Sequence, residues 1–127
     1  MRQSWTAVDL DGTLAEYHGW QGDLIGDPID PMLQRVRKMI RDGKDVRIFT
    51  ARMYHDDDGR HRKAIEAWCF EHTGKVLPIT NCKDYGMLEL YDDRAIQVIP
   101  NIGIPIQEAI DPVKLAEVIA SYKIKGV

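Results

Sequence analysis

The 127-residue chain has few cysteines, no long apolar run and no strong excess of either charge, and each shortage removes a class of function. Cys69 and Cys82 form neither a Cys-x-x-Cys pair nor a disulfide framework, which fits a reducing compartment. Neither has a neighbour pattern suggesting catalysis, so both read as packing residues, free cysteine behaving as a small hydrophobe. His55, His61 and His72 stand at no ligand spacing, and the absence of a His/Cys pattern argues against zinc. No apolar run nears the roughly 20 residues needed to span a bilayer. The start, Met1-Arg2-Gln3-Ser4-Trp5, lacks a signal-peptide core, so a soluble, cytoplasmic protein with no membrane partner is expected. Seventeen basic against twenty acidic residues give a net charge of −3, no broad attraction for nucleic acid, although a local basic pocket stays open.

Repeats, low-complexity tracts and linkers are also missing. With 44% hydrophobic residues the chain can bury one core, and a single domain over 1–127 without a large separate lid is expected. Short apolar runs alternate with amphipathic segments, the mark of an α/β domain with parallel strands. Trp5 to Val8 reads as a buried strand leading into Asp9-Leu10-Asp11-Gly12-Thr13. Asp30 as cap, Pro31 at the first position and Met32, Leu33, Val36, Met39 and Ile40 on one face predict a helix stopping at Gly43. Val46 to Phe49 reads as a second strand ending at Thr50-Ala51-Arg52. A helix carrying Ala64, Ile65, Trp68, Cys69 and His72 along one stripe then runs to Gly74. Val76 to Ile79 predicts a third strand, at an edge because of Pro78. Leu88 to Tyr91 leads into Asp92-Asp93, and Ala95 to Ile99 predicts a fifth strand. Asp111-Pro112 opens a last helix with Leu115, Val118, Ile119 and Tyr122 inward.

A parallel sheet would gather the reactive strand ends into one volume, because ligands bind at the carboxyl ends of such strands. Phosphoryl transfer asks for a nucleophile, a proton donor, a cation for the phosphate oxygens and further polar contacts. Asp9, Asp11, Thr50, Lys83, Asp92 and Asp93 supply those parts. Two carboxylates placed close together disfavour joint ionisation, and a bound cation resolves the conflict. Magnesium, with its preference for oxygen ligands and retained waters, suits such acids.

In order and spacing these segments resemble the haloacid dehalogenase superfamily of aspartate-nucleophile phosphotransferases. The likeness runs from Trp5 to about Ile99, with Asp9-Leu10-Asp11-Gly12-Thr13 as first motif, Thr50 as second, Lys83 as third and Asp92-Asp93 as fourth. The resemblance implies a three-layer Rossmann-like domain with a mostly parallel five-stranded sheet and no cap. It also implies Mg2+ held by Asp9, Asp11 through its main-chain carbonyl, and the late pair. Asp93 would be the direct ligand, and Asp92 would act through water or orient Lys83. Asp9 would attack phosphorus, Asp11 would protonate the leaving oxygen and then activate water, Thr50 would bind a phosphoryl oxygen, and Lys83 would stabilise the charge. Gly12 and Thr13 would line the phosphate site. A receiver domain combines similar residues, but there the acidic pair follows the first strand and the acceptor stands alone later, the reverse of the order here.

Around this set stand residues with two readings. Arg52 either binds a second anionic group of the substrate or pairs with nearby aspartates. Tyr17 and His18 belong to a flap region at about 14–27 whose aromatics could close over a substrate; His18 alone is more often a surface histidine. Asp56-Asp57-Asp58 more simply caps the following helix than binds metal. Lys75 precedes the third strand and reads as solvated. The expected substrate is a small phosphomonoester, a sugar phosphate or nucleotide. A polynucleotide end, or a non-catalytic magnesium- and phosphate-binding protein, is the alternative, and closing the cleft by homo-oligomerisation stays open.

Overall fold

The structure, a computed structural model, describes residues 3–109 and 111–122. By contact density it divides into two compact units, 1–93 and 94–127. The first unit carries a four-stranded parallel sheet: β1 (Trp5–Asp9), β2 (Val46–Phe49), β3 (Ile79–Thr80) and β4 (Met87–Tyr91), in the order β3-β2-β1-β4. β1 is central, and its first four residues are buried, as expected of a strand covered on both faces. The order turns back on itself at β1, which pairs with β2 on one side and β4 on the other. In open α/β sheets ligands bind at such a reversal, outside the carboxyl ends of the strands.

Helix α1 (Asp30–Arg41) buries Leu33, Val36 and Met39, with Met32 and Ile40 packed partly against the same core. Ile29, not Asp30, occupies the N-cap, and Asp30 and Pro31 form the first turn; the Asp30 carboxylate accepts from Gln34 at 3.3 Å instead of capping. Past the helix end Gly43 adopts φ +79° and donates to the Ile40 carbonyl. Helix α2 (Arg60–Thr73) buries Ile65, Trp68 and Cys69 and ends at Gly74 in the left-handed region. Asp56 accepts from the His61 and Arg62 backbone N–H groups and Asp58 from that of Arg60, so these acids cap α2. Cys69 lies in the core, whereas Cys82 is exposed and does not pack there.

The third strand forms later and shorter than the apolar run suggests. Pro78 has no N–H to give, and pairing begins at Ile79 after the Pro78 carbonyl has accepted from Ile48. Its edge position is as expected. A fifth strand over Ala95 to Ile99 is not formed. In the second unit this segment contributes one antiparallel bridge, Val98 to Pro105, closed by Ile99 N–H to the Ile104 carbonyl at 2.9 Å. The residues between them include a turn in which Asn101 takes φ 64°, in the left-handed region. Helix α3 (Pro112–Tyr122) opens at Asp111, whose carboxylate accepts from the Val113 N–H. Leu115, Val118 and Ile119 are half-buried, and the Tyr122 side chain lies outside the described residues. Among the described residues neither the stretch from Thr13 to α1 nor that from Thr50 to Lys83 holds a separate cap. No described helix is long and apolar enough to cross a membrane.

Candidate metal and phosphoryl site

The site is built where β1 ends. After Asp9 the chain folds into a tight turn in which the Leu10 carbonyl accepts from the N–H groups of Thr13, Leu14 and Ala15, at 2.9 to 3.3 Å. Leu10 and Leu14 are fully buried, which anchors the turn and leaves the polar residues between them on its rim. Gly12 sits at φ +90°, and a Cβ there would come within 2.6 Å of an Asp93 carboxylate oxygen. Glycine is thus required both by the backbone and by the approach of Asp93.

Carboxylate oxygens of Asp9, Asp92 and Asp93 lie within 4.8 Å of one another. Thr13 ties the first to the last. Its hydroxyl bonds Asp9 Oδ2 at 3.1 Å and Asp93 Oδ1 at 3.2 Å and accepts from the Asp93 backbone N–H at 3.0 Å. One hydroxyl proton serves only one acceptor at a time, so Thr13 donates to one of the two carboxylates at any moment. Burial pushes the Asp9 carboxyl up to about 7; the Thr13 bond opposes this, and the charges of Asp92 and Asp93 add to it. An all-oxygen cluster under such mutual repulsion fits a hard divalent cation such as Mg2+.

The Asp11 carboxylate takes no part in this cluster, being turned toward Arg52. Arg52 Nε donates to Asp11 Oδ2 and Nη2 to Oδ1, both at 2.8 Å, a two-pronged pair with only 4% of the arginine side chain exposed. Nη2 also donates to the Leu24 carbonyl at 2.9 Å and Nη1 to that of Gly22 at 3.2 Å. The guanidinium lies 5.4 Å from the Trp20 ring, which in turn lies 5.5 Å from the His61 ring. Of the two readings of Arg52, pairing with an aspartate is the one the structure displays.

Thr50 follows β2, which is in register with β1, Phe49 opposite Asp9. It is buried; its N–H donates to the Thr80 carbonyl and its Oγ accepts from the Arg52 N–H at 3.1 Å, keeping the hydroxyl proton for another acceptor. Lys83, past β3, is exposed, and among the described residues no ion pair ties it to a carboxylate. Tyr17 and His18 are exposed, and among the described residues no hydrogen bond or ring contact joins them to the acids.

Sequence reasoning missed the Gly22 and Leu24 carbonyls as Arg52 partners and Thr13 as the bridge between the first and last acids. Backbone carbonyls carry no side-chain signal, while a threonine four residues after an aspartate, in a turn, does offer one.

A scan of protein-family profiles and a search of curated proteins give no match to this chain. Among solved structures the chain is similar to a conserved protein from Bacteroides thetaiotaomicron, with TM-score 0.55 and 20% identity over 97% of this chain and 94% of that one. At that identity the likeness concerns the fold.

Proposed function

We propose that the protein is a Mg2+-dependent phosphomonoester hydrolase of haloacid dehalogenase type, on a Rossmann-like sheet, working through a phosphoaspartate at Asp9. The observation that carries the reading is the Asp9, Asp92 and Asp93 cluster bridged by Thr13, with Asp11 two residues beyond the nucleophile position. The cluster would hold the ion, which when bound supplies positive charge against the phosphate oxygens. An Asp9 oxygen attacks phosphorus, the bond to the leaving oxygen breaks, and that oxygen takes a proton that Asp11 has bound from the solvent before the step. Water then attacks phosphorus, its proton passes to Asp11, the Asp9–phosphorus bond breaks, and phosphate departs. Each Asp11 oxygen accepts one bond from Arg52, and a carboxylate oxygen has a further lone pair for the travelling proton. Thr50 donates its hydroxyl to a phosphoryl oxygen, and Lys83, carrying no ion pair among the described residues, supplies the cationic contact.

The substrate favoured is a small sugar phosphate or nucleotide, since the net charge of −3 gives a polynucleotide no broad attraction. The test is a panel of sugar phosphates, nucleotides and phosphorylated oligonucleotide ends, assayed with Mg2+ and with chelator. Phosphate release that needs the metal, with label from a 32P-ester trapped on the wild-type chain by acid quench and absent from Asp9→Asn, is expected. Removal of a nucleophile costs on the order of 10⁶-fold in rate. Full activity in Asp9→Asn refutes the reading, and metal binding without hydrolysis of any ester points to a binding protein.

A further inference from the structure

We infer that Arg52 is a positioning residue that latches the loop carrying Gly22 and Leu24 to Asp11, and is not a ligand of the substrate. Four of its five N–H donors have acceptors: two go to the Asp11 carboxylate and two to backbone carbonyls 28 and 30 residues away in sequence. The residue is 6% exposed. An anion arriving here would have to displace two short charge-assisted bonds in a site largely closed to water, which costs more than a rim arginine could return.

The loop needs such an anchor. Gly19 and Gly22 both take positive φ, and Leu24 and Trp20 are more than half exposed, so apart from Ile25, which packs partly against the core, its own burial contributes little. At its base Gly26 is held by the Trp68 indole N–H, at 3.0 Å, and by its fit against the Glu16 carbonyl; at its tip the holds are Arg52, the Trp20 contacts and a long, solvent-exposed ion pair of Asp23 with Arg60 at 4.0 Å, which is weak beside the buried fork. One planar fork thereby fixes both the loop and the orientation of Asp11. A lysine, a point charge on a flexible stem, cannot do both. The consequence for turnover rests on the phosphatase reading; the latch itself does not.

Hydrogen exchange on the full chain, without metal or ester, tests it. In Arg52→Ala the amides of Leu24 and Glu16, which donate to the Gln21 and Asp27 carbonyls, should exchange about tenfold faster or more, the equivalent of ~1.4 kcal/mol, while those of α1 keep their protection. Loop exchange within twofold of wild type, with α1 intact, overturns the latch. If α1 is lost too, Arg52→Lys decides: it should loosen the loop selectively, and an unchanged loop overturns the proposal. Where an ester is turned over, Arg52→Lys should lower kcat with KM within threefold. A raised KM at unchanged kcat makes Arg52 a substrate ligand and overturns the proposal. If no ester reacts, the phosphatase reading fails while the exchange result still stands.

Discussion

Thr13 is the smallest part of the site with the most to connect, since one hydroxyl meets Asp9, Asp93 and the Asp93 N–H. Thr13→Val keeps the shape and removes every one of those bonds. The two acids then lose their common partner, and a divalent ion should bind more weakly by about 10- to 150-fold, the equivalent of roughly 1.5–3 kcal/mol for a bond to a charged group. Titration with Mn2+ followed by calorimetry would measure it, and an unchanged affinity would make the bridge incidental. The same experiment run against pH examines Asp9. Burial, with the neighbouring charges of Asp92 and Asp93, raises this carboxyl to about 7, and only its ionised form binds a cation well. Divalent affinity should therefore climb from pH 5.5 to 8 and flatten above that, with proton release on binding near pH 6. A flat profile would remove the coupling between these acids.

At the scale of the element, the turn after β1 depends on Gly12. Gly12→Ala combines a φ of +90° with a Cβ only 2.6 Å from the Asp93 carboxylate. A loss of about 1–3 kcal/mol in stability is expected, together with a displaced Asp93 and weakened ion binding. Denaturant melts beside the Mn2+ titration would separate the two effects, and a variant as stable and as tight as wild type would contradict both. Elements whose signal is periodic were legible from sequence. Leu33, Val36 and Met39 on α1, and Trp5 to Val8 on β1, are buried as their spacing implies. The convergence of Asp9 with Asp92 and Asp93 was also legible, because a parallel sheet carries strand ends to one edge. What was not legible depends on contacts distant in sequence or on the backbone. Ala95 to Ile99 has a strand's composition but stops at one bridge before the Asn101 turn. Ile29 caps α1 in place of the better-suited Asp30. Asp11 and Arg52 stand 41 residues apart, and nothing in either local pattern distinguished their pairing from a free arginine at the rim.

For the molecule as a whole, the raised carboxyl at Asp9 becomes a dependence of stability on pH. Between the ordinary value of 3.8 and about 7 the folded chain holds a proton that the unfolded chain has released. The contribution of Asp9 is thus fully present below about pH 4 and is lost as pH rises through 7. Asp42 and Asp56 act in the opposite sense. Asp42 is lowered by its bond to Lys38; Asp56, despite the desolvation that raises it, is lowered by the His61 and Arg62 N–H groups. Both contribute stability above the ordinary carboxylate range and lose it as pH falls. Over pH 5 to 8 these two are already ionised, so of the three carboxyls only Asp9 changes charge there, and Asp9→Asn should make the slope of stability against pH less steep. A cation changes the sign of the effect, because it binds the ionised cluster of the folded chain and nothing comparable in the unfolded one. At 100 times its dissociation constant it adds about 2.7 kcal/mol, which raises the Tm of a chain this size by roughly 10 °C. Thermal melts at pH 5 and pH 8 at one fixed Mg2+ concentration check the argument. The gain should be larger at pH 8, where Asp9 is free of its proton, and a larger gain at pH 5 would mean that the ion binds somewhere other than this cluster.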